Sequence, residues 1–130
     1  MDISINRPYT TIALNIADSE PIELKLYTNT PKAYQAITEA WIMLDRIQRD
    51  RAELSTKGLS QVDLALRTCR HLEMEADVTI DAIKIALGDE FAKVESIVGY
   101  LPLSALTDIL TAIARSMSEA MIDDLAKVKI

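Results

Sequence analysis

In PIELKLY, residues 21–27, Ile22, Leu24 and Leu26 alternate with Glu23 and Lys25. Alternation with period two puts one face of an extended segment in apolar surroundings and the other in water. The preceding run TIALNI (11–16) is separated from it by the turn-prone ADSE (17–20), and together they predict an antiparallel hairpin. DISI, residues 2–5, predicts a further short strand. An isolated hairpin is marginal in water, so this one must pack on helices or pair with another chain.

The period changes at TNTPKAY, residues 28–34. Thr30 suits an N-cap, whose side-chain oxygen accepts from a free backbone amide, and Pro31 suits the first helical position. Ile37, Trp41, Leu44 and Ile47 then recur at helical spacing beside Ala33 and Ala40. One amphipathic helix over 31–54 is predicted, with Glu39, Asp45, Arg46, Arg49 and Asp50 on its wet face. Gly58 is a good stop, and Ser60 with Asp63 resembles a capping box that opens a second helix. Val62, Leu66, Cys69 and Leu72 read as the buried stripe of that helix, interrupted at EADVTID (75–81), where Asp77 or Thr79 would cap a new start. IDAIKIAL then runs to Gly88, a short helix DEFAKVESIV (89–98) to Gly99, and Pro102 and Ser104 introduce the last helix over 104–126. Leu106, Ile109, Leu110, Ile113, Met117, Ala120, Met121 and Leu125 form its apolar stripe, opposite Asp108, Arg115, Glu119 and Asp123. The fold class expected is mainly α, a bundle of about four to five helices behind an N-terminal β-hairpin. No linker or repeat divides the 130 residues, so a single domain is expected, with a hairpin region at 1–27 and a helical region at 31–126.

Composition agrees with helices: 49% of residues are apolar and only 3 are glycine and 4 proline. Fourteen Lys and Arg against twenty Asp and Glu leave a formal charge of -6, which argues against nucleic acid as a partner because phosphate binding needs clustered cations. Arg46, Arg49 and Arg51 lie among Asp45, Asp50 and Glu53 and read as a solvated helix face. Cys69 is the sole cysteine, so no disulfide forms within the chain and a reducing compartment is expected. MDISINRPYT lacks the pattern of a signal peptide, and no apolar run approaches the ~20 residues of a membrane span. A soluble, cytosolic protein without a membrane partner is expected.

Little in the chain points to chemistry. His71 and Glu75 are one helical turn apart, but two ligands on one helix do not complete a metal site, and a solvated pair or cap is the simpler reading. Cys69 and His71, two apart, diverge on a helix, so the cysteine reads as core. Asp89 and Glu90 suit a helix start, where the macrodipole favours negative charge. Asp123 and Asp124 stand near a helix end, where it does not, with Lys127 and Lys129 as partial offset. No phosphate loop, zinc spacing or serine elbow is present, no cofactor is called for, and an enzyme is not expected. The remaining signal is apolar surface. Trp41, Ile42 and Met43 in AWIMLDRI make the long helix apolar over more than one stripe, as in a helix that is central or shared with a partner. Met117 and Met121, one turn apart, are ordinary core or an adaptable surface for a changeable ligand.

The order of parts over residues 86–110, ALGDEFAKVESIVGYLPLSALTDIL, resembles the tail assembly chaperones of long-tailed phages and prophages, particularly the small helical ones of Gram-positive hosts. In these, a helix ends in a glycine–acidic turn, here Leu87, Gly88, Asp89 and Glu90. A short helix bearing an aromatic follows, here Phe91, and a second glycine turn, here Gly99 to Pro102, leads to a closing amphipathic helix. The resemblance spans residues 10 to 122. This chain has Val98–Gly99 where family members often carry an aromatic–glycine pair.

The resemblance implies a non-enzymatic protein that binds the tape-measure protein, helps recruit the tail-tube protein, self-associates, and is absent from the mature virion. The family points to no particular binding residues; the reading of the residues themselves places the expected partner contacts at Trp41, Ile42, Met43, Phe91, Met117 and Met121. The alternative is a small helical adaptor or regulator that dimerises through its long helix.

Overall fold

A computed structural model describes residues 1–5, 7–27 and 30–127, with the backbone alone for 120–127. Strand β1 (Thr10–Leu14) pairs antiparallel with β2 (Ile22–Leu26), in a register that sets Thr10 against Leu26 and Leu14 against Ile22. At the tip, the Ser19 N–H donates to the Ile16 carbonyl at 3.1 Å, and Asp18 takes a positive φ of 66°. The strand expected at 2–5 does not form: those residues lie exposed without a ladder partner.

Helix α1 (Pro31–Glu53) begins as its sequence requires, with the Thr30 hydroxyl accepting from the Ala33 N–H at 3.2 Å and Pro31 in the first turn. It ends in a 3₁₀ turn, Leu54–Thr56, and the chain reverses at Gly58, where φ is +65°. Helix α2 (Gln61–Leu87) starts on Ser60, whose hydroxyl accepts from the Asp63 N–H at 3.1 Å.

The break expected at EADVTID is absent, and α2 is one helix of 27 residues. Thr79 resolves its own conflict with the helix by donating its hydroxyl to the Glu75 carbonyl one turn back, at 2.7 Å. Tertiary packing supplies the rest: Thr79 and Ile83 are buried, and burial outweighs the few tenths of a kcal/mol that β-branched residues cost a helix. The described residues therefore hold three α-helices where four to five were expected.

Gly88 closes α2 with φ 57° and ψ −127°, a region that residues with a Cβ avoid. The segment read as a short helix at 89–98 is instead two 3₁₀ stretches, Gly88–Lys93 and Val98–Tyr100. Helix α3 (Leu103–Lys127) follows. A Cβ at Gly88 would meet nothing within 4 Å, so the cost of Gly88→Ala is that of the backbone alone. We expect it to lower stability by about 1–3 kcal/mol, read from the urea midpoint. By the same measure the non-strained Gly99→Ala should change little.

Helices α1 and α2 run antiparallel, with Arg51 reaching Glu75 and with Ala40 and Met43 beside Val78 and Ala82. From α1, Ala33, Ile37, Ala40, Leu44 and Ile47 enter the core at spacings of four and three residues. Helix α3 contributes Leu106, Ile109, Leu110, Ile113 and Met117. The hairpin lays Leu24 and Leu26 onto the same cluster, together with Phe91 and Val98 of the 3₁₀ stretches and Val94 from the turn between them.

Two side chains tie that corner together. Glu90 accepts from the Lys25 backbone N–H at 2.7 Å and from the Lys93 ammonium at 2.9 Å, and Lys93 also donates to the Glu23 carbonyl at 3.2 Å. The hydrogen bond from Lys93, and then that from the Lys25 amide, hold the Glu90 carboxyl below its ordinary value of 4.5. A carboxylate whose pKa falls on folding stabilises the fold above its unfolded pKa, and that stabilisation disappears as pH falls through the folded value. Glu90→Gln is therefore expected to flatten the loss of melting temperature below pH 4.5, with its largest difference from the parent chain near neutrality.

Candidate functional site

Three consecutive residues of a helix lie 100° apart around its axis, so Trp41, Ile42 and Met43 cannot share one face. The structure spreads them across the outer side of α1. Trp41, 40% exposed, leans toward α3 and lines a groove of about 170 Å³ with Tyr34, Ile37, Thr38 and Met117. Met43 leans toward α2 and lines a second groove, about 150 Å³, with Ala36, Val78, Ala82 and Ile85. Ile42 stands between them, 57% exposed. A crown of apolar side chains with a shallow groove on either flank results. Phe91 and Met117, expected at a partner contact, are core residues, 7% and 3% exposed, with Met117 reaching the surface only where it lines the Trp41 groove. The Met121 side chain lies outside the described residues.

Helix α2 overturns a second expectation. Val62, Leu66, Cys69 and Leu72 point outward, with Val62 69% and Leu66 61% exposed. The less exposed stripe is Leu64, Thr68, His71, Glu75, Val78 and Ala82, of which the last four lie against α1, equally regular in spacing but polar at its centre. Its polar residues hid it, and the one cue in the sequence was the continuation of the four-and-three spacing back from Ala82.

Glu75 is accordingly no solvated partner of His71. It is buried and held by the Arg51 guanidinium from α1. His71 keeps its Nδ1 buried without a hydrogen-bond partner. Among the described residues, no three His, Cys, Asp or Glu side chains converge as a metal site would require.

The basic residues read as a solvated face do not converge either. Arg49 Nε pairs with Asp45 Oδ2 at 3.1 Å on the surface of α1, and Arg51 turns inward. At the α1–α2 turn, Lys57, Arg67, Arg70 and His71 share a cavity of about 410 Å³ with Asp50 and Glu53. Two carboxylates, Asp50 and Glu53, offset two of the three cations Lys57, Arg67 and Arg70, so the cavity carries only a small positive excess.

Comparison with known protein families, with characterised proteins and with solved structures finds no match.

The geometry itself limits what these surfaces can do. The groove beside Met43 is lined mainly by aliphatic and methyl groups, with Glu39 and Asp81 among them, whereas the groove beside Trp41 mixes apolar side chains with Thr38, Ser118 and Tyr34. Such a surface takes up the apolar side of another helix and leaves charged residues at the rim. No helix among the described residues is long and apolar enough to cross a membrane.

Proposed function

We propose that this chain is a binding protein without chemistry of its own, and that it serves as a phage tail assembly chaperone. It holds amphipathic helices of the tape-measure protein on the crown of α1 and supports addition of tail-tube protein in the host cytoplasm. The observation that carries the reading is the exposure of Trp41, Ile42 and Met43 over two flanking grooves on one long helix. A tryptophan beside an exposed isoleucine and methionine, with polar groups around them, is the composition of an energetic hot spot. The net charge of -6 keeps chaperone and client dispersed by repulsion. The sequence of a glycine turn at Gly88, the Phe91 segment, and a second turn before α3 supports the chaperone reading in particular.

Co-expression with the tape-measure protein of the same phage or prophage tests this. The client's soluble yield should rise, and a complex should co-purify. Trp41→Asp with Ile42→Asp should reduce the recovered complex about tenfold or more, the effect of losing roughly 1.4 kcal/mol or more of binding, while the chain's own fold is retained. Absence of any complex would sink the proposal. The same crown supports a second reading, an adaptor that dimerises through α1. That reading requires Trp41→Ala to shift the chain from dimer to monomer in light scattering.

A further inference from the structure

The two edges of the hairpin are unlike. On β2, the Lys25 N–H donates to Glu90 and the Glu23 carbonyl accepts from Lys93, so both residues direct their backbone groups away from β1. In an antiparallel pair, residues opposite one another share the direction of their hydrogen-bonding groups, inward or outward in alternation. Thr11 faces Lys25 and Ala13 faces Glu23, so Thr11 and Ala13 direct their N–H and carbonyl groups outward along the other edge. Side chains of the 3₁₀ stretch close the β2 edge. At the β1 edge, Thr11 and Ala13 make no outward hydrogen bond with a described residue. An open edge of this kind is a template for another strand.

Packing beneath the sheet is uneven in the same sense. Leu24 and Leu26 of β2 are fully buried, whereas Ile12 and Leu14 of β1 are half-buried at the margin of the core. A strand beside β1 with apolar residues on its inner face would complete that cover.

Residues 1–5 have this pattern. Met1, Ile3 and Ile5 alternate with Asp2 and Ser4, and Ile3 and Ile5 are 79% and 81% exposed. Five extended residues span about 17 Å, the length of the five-residue β1. In its own chain the segment is led away from that edge. The Arg7 guanidinium stacks on the Tyr27 ring at 4.2 Å, and the Tyr9 ring meets Tyr27 edge-on at 5.7 Å, with the Lys25 ammonium 4.9 Å from the Tyr9 ring. These contacts hold residues 7 and 9 beside the end of β2, so the chain before β1 continues along the strand line instead of doubling back at Tyr9.

We propose that residues 1–5 of a second copy of this chain add to the free edge of β1 as a third strand. Ile3 and Ile5 then cover Ile12 and Leu14, Asp2 and Ser4 face water, and Thr11 and Ala13 gain backbone partners. Each copy carries one such segment and one such edge, so reciprocal exchange closes a dimer. This surface is separate from the crown of α1, and the inference does not rest on the chaperone reading.

The test separates donor segment from acceptor edge. In light scattering the full chain should be dimeric in a concentration-dependent manner. Deleting residues 1–5, or substituting Ile3→Asp with Ile5→Asp, should weaken self-association about tenfold or more and leave the circular dichroism spectrum unchanged. Thr11→Pro removes an outward donor and blocks the edge, a position where a strand tolerates proline. It should also be monomeric. Mixing the deletion variant, which keeps the edge, with Thr11→Pro, which keeps the segment, should restore a one-to-one heterodimer. Should Thr11→Pro lose the hairpin, a labelled peptide of residues 1–9 takes its place and should bind the deletion variant saturably. A full chain that is monomeric at every concentration would overturn the proposal. So would self-association that survives the deletion, or a mixture or peptide that forms no complex.

Discussion

Arg51→Met is expected to lower the stability of this protein by about 3 kcal/mol, among the largest losses available outside the apolar core. The Glu75 side chain is 4% exposed and receives its charged partner from α1, while the Arg51 side chain is 27% exposed at the rim of the helix pair. Removing the arginine leaves a carboxylate inside the α1–α2 interface with no cation to balance it. The figure stands at the lower end of the range for a broken buried pair because water reaches one side of the guanidinium. Adding Glu75→Leu should recover most of the loss, since the carboxylate's desolvation then disappears and an aliphatic residue continues the stripe of Val78 and Ala82. Asp45→Ala removes the exposed pair with Arg49 and is expected to cost no more than about 0.5 kcal/mol. Urea titrations of the four chains, read at the midpoint with the slope unchanged, measure all of this. Equal losses for Arg51→Met and Asp45→Ala would mean that Glu75 is hydrated in solution.

That pair also marks where reading the sequence stops. The hairpin, both helix starts, the stop at Gly58 and the core stripe of α3 through Met117 follow from local features: alternation, a capping hydroxyl, a proline at the first turn, a glycine. Each depends on residues within a few positions of one another, so each is visible in a short window. The partnership of Arg51 with Glu75 joins residues 24 apart on different helices, and Glu90 reaches 65 residues back to Lys25. Nothing local distinguishes these carboxylates from the exposed ones around them. The continuity of α2 was hidden for a related reason. Val78, Thr79 and Ile80 weaken a helix in isolation, and only the neighbouring elements that bury Thr79 restore it.

The apolar surfaces were legible as residue types and only in part as positions. Trp41, Ile42 and Met43 follow one another, so they cannot share one face of α1, and all three emerge on its outer side. Phe91 and Met117 carry the same chemistry and went to the core. Composition cannot separate the two outcomes, because an aromatic or a methionine serves either.

Helix α2 offers the sharper measurement, because two regular stripes compete for its inner face. Ile83 is 0% exposed, so Ile83→Ala removes buried methyl groups and leaves a cavity that neighbouring helices fill poorly. A loss of about 3–4 kcal/mol is expected. Leu66→Ala, on the outward stripe, should stay within about 0.5 kcal/mol of the parent chain, with the higher helix propensity of alanine offsetting the little packing lost. A helix turned so that Val62, Leu66 and Cys69 faced α1 would make Leu66→Ala the costly change. The Cys69 thiol supplies an independent reading, since it is exposed and should react with a thiol reagent in the native protein without waiting for unfolding. Protection of Cys69 together with a large cost for Leu66→Ala would place the apolar stripe inside. Ready reaction and a silent Leu66→Ala would leave that stripe as a second apolar surface, standing in water toward the α1–α2 turn, at the other end of the helix pair from the crown of α1.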